Sequence, residues 1–303
     1  MFTVNDHLRI GASAAPRVPP GFELRPYERI SLDPLSPTIG AVVEGVDLDR
    51  VDDVQHAELH QALLEWKVLF FRDQDVTRDE QRDFALSWGE LERHPFYAFV
   101  QPDQPHDDVV RLAKDAMSSG VENVWHADLT WHSRPSFGAV LRAVEVPDVG
   151  GDTLWADAGA AYDELPDELK ERIDGLDAVH DWRTTFGLTM PAEERERLSE
   201  QFPLVQHPVV RVHPETGRRT LFVNAIFTSH IAEVDEVESE AILTALYAQM
   251  HRPEFQCRFR WRPGSVAFWD NRATQHYASS DYAPATRIME RISIAGDVPV
   301  GVA

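Results

Sequence analysis

The residues best suited to chemistry in this sequence are histidines spaced closely with carboxylates. A histidine followed two places later by Asp or Glu begins at His56, His106, His126 and His213. With 13 histidines and 51 acidic residues in 303 positions, roughly two such pairs arise by chance, so their surroundings must separate them. His56-Ala-Glu58 falls in a helical pattern, where positions i and i+2 point apart. His106-Asp-Asp108 lies in an unpatterned stretch and His213-Pro-Glu215 opens a Pro-Glu-Thr-Gly turn, so both read as solvated loop residues. Trp125-His126-Ala127-Asp128-Leu129-Thr130-Trp131 is flanked instead by aromatic and β-prone residues. On a strand, side chains i and i+2 leave the same face, so His126 and Asp128 can grip one ion. Taken alone, the pair reads equally well as a buried His–Asp hydrogen bond.

A third residue joins them. Trp269-Asp-Asn-Arg-Ala-Thr-Gln-His276 ends on a histidine just after a strongly β-like run. Two histidines and one carboxylate form a facial triad that leaves metal positions open for a cosubstrate and O2, as non-haem iron(II) oxygenases require. A hydrolytic zinc site can use the same ligands. Arg287-Ile-Met-Glu-Arg291 supplies a second kind of chemistry. On a predicted strand both arginines face one side and Ile288 and Glu290 the other. Guanidinium groups pointing together repel unless anions join them, and Arg suits bidentate binding of carboxylate or sulfonate. The alternative is a pair of surface ion pairs with nearby acids.

Composition narrows the partners. Lys and Arg number 29 against 51 Asp and Glu, a net charge of -22, which repels nucleic-acid phosphates and anionic lipids. A small anionic substrate therefore needs a local arginine cluster. Cys257 is the only cysteine, which rules out an intramolecular disulfide and a Cys-based zinc site and fits a reducing cytoplasm. The start carries no basic segment followed by an apolar one, and no apolar run reaches membrane-spanning length, so the expectation is a cytoplasmic protein off the membrane.

The elements that must position these groups follow from periodicity. Residues 1–25, rich in Pro and Gly, read as an extended lead-in, and 26–303 as one domain. Helices are expected at 54–66, from the Thr77 capping box to Trp88, at 158–176, 190–201 and 234–250. Strands are expected from Ile39, at 67–72, 138–146, 153–155, 209–212, 220–224, 257–261, 265–269 and 287–295. Strands at both ends with helices inserted between them give a mainly β fold, a closed or sandwiched β core and not a doubly wound sheet. His132, His180, His207 and His213 read as structural or surface residues, and Trp155, Trp261 and Trp269 as packing.

Several stretches resemble the TauD/TfdA group of 2-oxoglutarate-dependent dioxygenases: Trp125 to Asp128, Gly150-Gly-Asp-Thr-Leu-Trp155, His207-Pro-Val-Val-Arg-Val-His213, Leu221-Phe-Val-Asn224 and Trp269 to His276. The likeness runs from about Leu35 onward, and Leu221 to Thr228 with Thr274-Gln-His-Tyr277 is similar to the taurine-oxidising members. It implies a double-stranded β-helix (jelly-roll) core with inserted helices. It also implies iron(II) on His126, Asp128 and His276, and 2-oxoglutarate held at its distal carboxylate by Thr153 and Arg287. Arg291, His94 and Tyr97 align with residues that bind the substrate anion, and Phe227 with an aromatic that covers it. Glu122 stands where the taurine enzymes carry Asn, and Glu290 where His often precedes the second arginine. The implied reaction uses O2, converts 2-oxoglutarate to succinate and CO2, and hydroxylates an organosulfonate such as taurine, which then releases sulfite and an aldehyde. An alkyl sulfate, an aryloxyalkanoate or a biosynthetic amino-acid derivative suits the same chemistry, and a metal-binding jelly-roll sensor is the non-enzymatic alternative. Relatives of this kind are often dimers or tetramers, which gives the expectation of a homo-oligomer.

Overall fold

Two apolar runs, Val68–Phe71 and Val266–Asp270, are buried on both faces and pair antiparallel, Phe70 against Ala267 and Phe71 against Val266. Successive strand side chains leave opposite faces. Val68, Phe70, Ala267 and Trp269 therefore enter one core, while Leu69, Phe71, Val266 and Phe268 enter another. The computed structural model describes residues 13–94, 96, 108–115, 123–188 and 190–302. Within it these strands centre an eight-stranded sheet. Its order is Ser31–Pro34, Ala41–Glu44, Val68–Phe71, Val266–Asp270, Gly138–Glu145 and Arg287–Ile294, with Leu91–Glu92 and Val109–Lys114 both on the far edge of the last strand. The one parallel pairing among them joins Ala41–Glu44 to Val68–Phe71.

Helices Asp53–Trp66 and Arg78–Leu86 cover the outer face with Leu59, Leu63, Trp66 and Phe84. Each opens on a capping box, Asp52 with Gln55 and Thr77 with Glu80, which satisfies backbone donors that no helical carbonyl can reach. Against the inner face lies a second sheet of Gln256–Phe259, Thr153–Asp157 and Thr274–Ala278. It contributes Trp155, Cys257 and Phe259 to the inner core, joined there by Trp261. Phe70 stacks on Phe259 at 4.0 Å and meets Trp155 edge-on at 5.2 Å. Two sheets closed over an aromatic core form the expected jelly roll. A third sheet, Thr228–Ile231 with Asp177–His180 and Val205–Pro208, and the hairpin Val210–Val212 with Arg219–Leu221 extend it. No helix among the described residues is long and apolar enough to cross a membrane.

Three expectations change. The helix expected over 158–176 is two, Ala158–Asp163 and Asp167–Ile173, because Pro166 cannot donate to the turn before it and caps the second. The strand expected at 220–224 stops at Leu221. No strand runs through Trp125 to Trp131. His126 makes only an isolated bridge to His276, and Asp128 begins a turn in which Leu129 takes φ 53°.

The described part of the lead-in has no regular structure, yet it is tied down. The Ala14 and Ala15 amides donate to Glu164 at 2.6 and 3.0 Å, and the buried amine of Lys67 and guanidinium of Arg218 donate to the Arg17 carbonyl. Lys67 also lies 3.2 Å from Asp157 and donates to Thr38 O at 2.8 Å. Burial pulls its amine down to about 8, with Asp157 opposing.

Trp155 is fully buried at the centre of the inner core. Trp155→Ala is expected to cost about 3–5 kcal/mol of stability, read as a lower urea midpoint at an unchanged m-value.

Candidate active site

The metal candidates meet where the two sheets open. His276 lies on Thr274–Ala278, and its backbone exchanges two hydrogen bonds with His126, N to O at 2.7 Å and O from N at 3.0 Å. This bridge holds the two imidazole centroids 4.2 Å apart. Asp128 Oδ1 is 3.9 Å from His126 Nε2, and Oδ2 is 4.0 Å from His276 Nε2. One candidate ligand atom from each residue lies within 4.8 Å of the others, the single such grouping among the described residues.

The electrostatics suit a cation. Burial opposes ionisation of Asp128, but Arg291, His276 and His126 outweigh it and hold the carboxyl at about 2. Burial, helped by His126, keeps His276 neutral by lowering it to about 3. Arg291 Nη1 donates to Asp128 Oδ1 at 2.8 Å, whereas buried Oδ2 has no hydrogen-bond donor among the described residues. His126 Nδ1 faces Val124 O at 3.2 Å, which leaves Nε2 on the Asp128 side. A buried carboxylate oxygen without a donor, beside neutral imidazole, fits a divalent metal of the non-haem iron type.

Asn271 shapes this site and was not singled out by the sequence. Its Oδ1 accepts from Asp128 N at 2.8 Å, and its Nδ2 donates to Asp128 O at 3.0 Å and Ser136 O at 3.1 Å. The amide side chain thus pairs with the Asp128 backbone as a neighbouring strand would. Beside it, Asp270 is buried against Arg272 at 2.7 Å and His213 at 2.9 Å, which hold its carboxyl far below the usual range against burial. His213 is therefore not the solvated loop residue that its turn motif suggested. The turn closes over it and Asp270 takes its Nε2. His180 and His207 are structural as expected, set against Thr130 Oγ1 at 3.0 Å and His132 O at 2.9 Å.

Arg287, Met289 and Arg291 alternate onto the inner face of Arg287–Ile294, while Glu290 on the outer face is buried among Arg78, Arg111 and Arg142. The two guanidinium groups share a face but do not converge, because four residues of strand separate them by roughly 13 Å. Arg287 Nε donates to Gly151 O at 3.1 Å, and Nη2 lies 3.4 Å from Thr153 Oγ1, which also accepts from Trp261 Nε1 at 2.9 Å. Gly151 has φ 69°, and a Cβ there would lie 3.1 Å from Arg287 Cδ, so this turn needs glycine. Thr153 sits two residues along from Trp155, the partner of His276, so both side chains enter the same interior.

Aromatic rings wall the metal end. Phe227 is edge-on to His126 at 6.5 Å, Phe186 stacks with Phe227 at 6.2 Å, and Phe186 meets His94 at 5.8 Å. Phe227 is held by its amide on Asn224 Oδ1 at 3.0 Å, and Asn224 Nδ2 donates to Thr130 Oγ1 at 2.9 Å. His94 is lowered to about 4 by burial and Arg291, and its Nδ1 accepts from Phe96 N at 3.1 Å. The neutral ring therefore carries its proton on Nε2. Tyr97, Glu122 and His106 lie outside the described residues.

The chain is similar to known proteins over nearly its whole length. Residues 31–293 match the family model described as "Taurine catabolism dioxygenase TauD, TfdA family". An alkylsulfatase of Acinetobacter baylyi is 36% identical over 92% of this chain and 89% of its own length. An alpha-ketoglutarate-dependent sulfate ester dioxygenase of Pseudomonas putida is 37% identical over 90% and 92%. A taurine dioxygenase from Burkholderia xenovorans superimposes with a TM-score of 0.77 at 38% identity, covering 90% of this chain and 93% of that one.

Asn271→Ala is expected to weaken Mn(II) binding about 10–100-fold, the usual cost of losing a residue that orients a metal ligand. A metal titration followed by electron paramagnetic resonance reads this directly. Acid should also weaken the metal-free protein. Burial lowers His180 to about 3 and His207 to about 4, so below the ordinary value of 6.5 the unfolded chain takes protons that the folded one refuses. Between pH 6.5 and 4 each contributes a loss of up to about 1.4 kcal/mol per pH unit, measurable by urea unfolding.

Proposed function

The chain belongs to the TauD/TfdA family of dioxygenases, and we propose that it hydroxylates a small organic anion at the carbon next to its charged group. It is a 2-oxoglutarate-dependent oxidoreductase that uses iron(II), 2-oxoglutarate and O2. Bound iron supplies the oxidising chemistry, in which 2-oxoglutarate becomes succinate and CO2 and one oxygen atom enters a substrate C–H bond.

The protein's own groups supply the geometry. His126, Asp128 and His276 are proposed to hold the iron, with Asp128 presenting Oδ2 because Arg291 takes Oδ1. Thr153 and Arg287, at the far end of the same interior, are proposed to grip the distal carboxylate of 2-oxoglutarate. Arg291 and His94 Nε2–H then receive the anionic head of the substrate, with Tyr97 and Glu122 assigned to the same pocket. Phe227 and Phe186 exclude water and contact the organic part.

The observation that carries this reading is the pair of inner-face arginines, one at the Thr153 turn and one at Asp128, which gives the interior two separate anion poles. An organosulfonate hydroxylated beside sulfur collapses to an aldehyde and sulfite, and a sulfate ester hydroxylated beside oxygen collapses to an aldehyde and sulfate. The aromatic wall favours an apolar tail over the ammonium group of taurine. Apolar sulfate esters and sulfonates are therefore the first substrates to try, followed by taurine and an aryloxyalkanoate. We also assign the enzyme to the cytoplasm, where the lone buried thiol of Cys257 stays reduced.

Iron(II) and 2-oxoglutarate added without oxygen should give a weak visible charge-transfer band. His126→Ala should abolish it, and Arg287→Ala should require at least about tenfold more cosubstrate, as expected from losing a charge-assisted bidentate contact. With oxygen, succinate formation should be stimulated more by hexyl sulfate than by taurine. Absence of the band in the intact protein would overturn the assignment.

A further inference from the structure

Glu92 is a carboxyl group that the proposed reaction leaves unused. The short strand Leu91–Glu92 pairs with the rim of Arg287–Ile294, Leu91 opposite Ile294 and Glu92 opposite Ser293. Opposed residues share a face. Leu91 and Ile294 pack in the outer core, so Glu92 takes the inner face, diagonal to Arg291. Diagonal neighbours on antiparallel strands are roughly 7–8 Å apart, within reach of long side chains.

The two groups are nevertheless engaged elsewhere. Arg291 Nη1 donates to Asp128 Oδ1 at 2.8 Å, and Ser136 Oγ donates to Glu92. Arg291 Nε is buried with no acceptor among the described residues. Ser136 is itself buried, and its carbonyl accepts from the Asn271 amide that clasps Asp128. A guanidinium and a carboxyl are thus diagonal neighbours on one face that do not close on each other, with Asp128 near both and His94 near Arg291. Burial pushes Glu92 up to about 7, Ser136 and Arg291 pull it down, and Asp128 adds to the rise.

We propose that Glu92 and Arg291 together line the head-group subsite, and that Glu92 is the specificity-determining residue that admits a singly charged head and rejects a doubly charged one. This rests on the reading of Arg291 as the substrate's anion partner. Formal charge carries the argument. Iron(II) offsets the two carboxylates of 2-oxoglutarate, and Arg287 and Arg291 offset Asp128 and an ionised Glu92. With Glu92 ionised at pH 8, a sulfate ester or sulfonate then leaves one uncompensated negative charge facing it, and a phosphate monoester leaves two, so the repulsion from Glu92 is about doubled for the dianion. Uncompensated buried charge is costly, so the dianion is disfavoured although its shape is the same.

Hexyl sulfate and hexyl phosphate differ mainly in charge at pH 8. Their binding is measured by calorimetry on the protein loaded with iron(II) and 2-oxoglutarate without oxygen, which needs no turnover. The sulfate is expected to bind at least about tenfold more tightly, a modest share of one like-charge contact at this range. Glu92→Gln is expected to shrink that preference to about threefold or less, mainly by strengthening phosphate binding, because it removes the like charge. Equal binding of the two heads by the unaltered protein, or an unchanged preference in a folded Glu92→Gln, overturns the proposal. If Glu92→Gln fails to fold, Glu92→Met takes its place with the same expectations. Binding as expected without oxidation of hexyl sulfate would fault the proposed reaction and support the subsite.

Discussion

The site hangs on the backbone bridge between His126 and His276. One partner belongs to a regular strand of the inner sheet, and the other to an irregular segment that has no sheet of its own. Two hydrogen bonds bring that segment to the barrel mouth, and Asn271 fastens the next carboxylate-bearing residue by pairing with its backbone on both sides. Without these contacts Asp128 would sit in a turn with nothing to direct it. Leu129 accepts a left-handed conformation just after Asp128, a strain of order 1–3 kcal/mol that its burial among the aromatic rings helps to hold.

Charge is distributed in a way the overall count conceals. The chain carries a net charge of -22, yet the barrel's inner face holds two arginines, and its outer face buries Glu290 among three more. Asp270 is matched by Arg272 and His213, and Asp157 by Lys67 and Arg218. These three buried carboxylates are therefore neutralised by their own neighbours. Asp128 pairs with Arg291 through one oxygen, and its other oxygen, buried beside two imidazoles, is left without a donor among the described residues, which fits a metal ligand.

That His126 and Asp128 come together, and that Arg287 and Arg291 share a face, was legible from short-range order. His126 and Asp128 are two places apart, and Arg287 and Arg291 lie on a strand whose period sorts them onto one face. Asn271 and Glu92 were not legible, since their importance depends on which distant strand lies opposite. The turn after Asp128 was missed because a leucine gives no sign of a left-handed conformation, which glycine or asparagine would have signalled. His213 was expected to be structural or on the surface, and only its turn motif pointed to the surface. A Pro-Glu-Thr-Gly run predicts a turn correctly but does not say what the residue before it is packed beneath. Pro166 was a legible break that helical periodicity alone passed over.

The tethering of residues 13–17 bears on the order in which the molecule can be completed. Their partners include Glu65 and Lys67, and also Glu164 and Arg218, which lie far along the chain. During synthesis this segment leaves the ribosome well before Glu164 and Arg218, so what is made first is secured in full only late. The buried amine of Lys67 is therefore among the last groups to lose contact with water, once the chain beyond Arg218 has emerged and the long loop has closed.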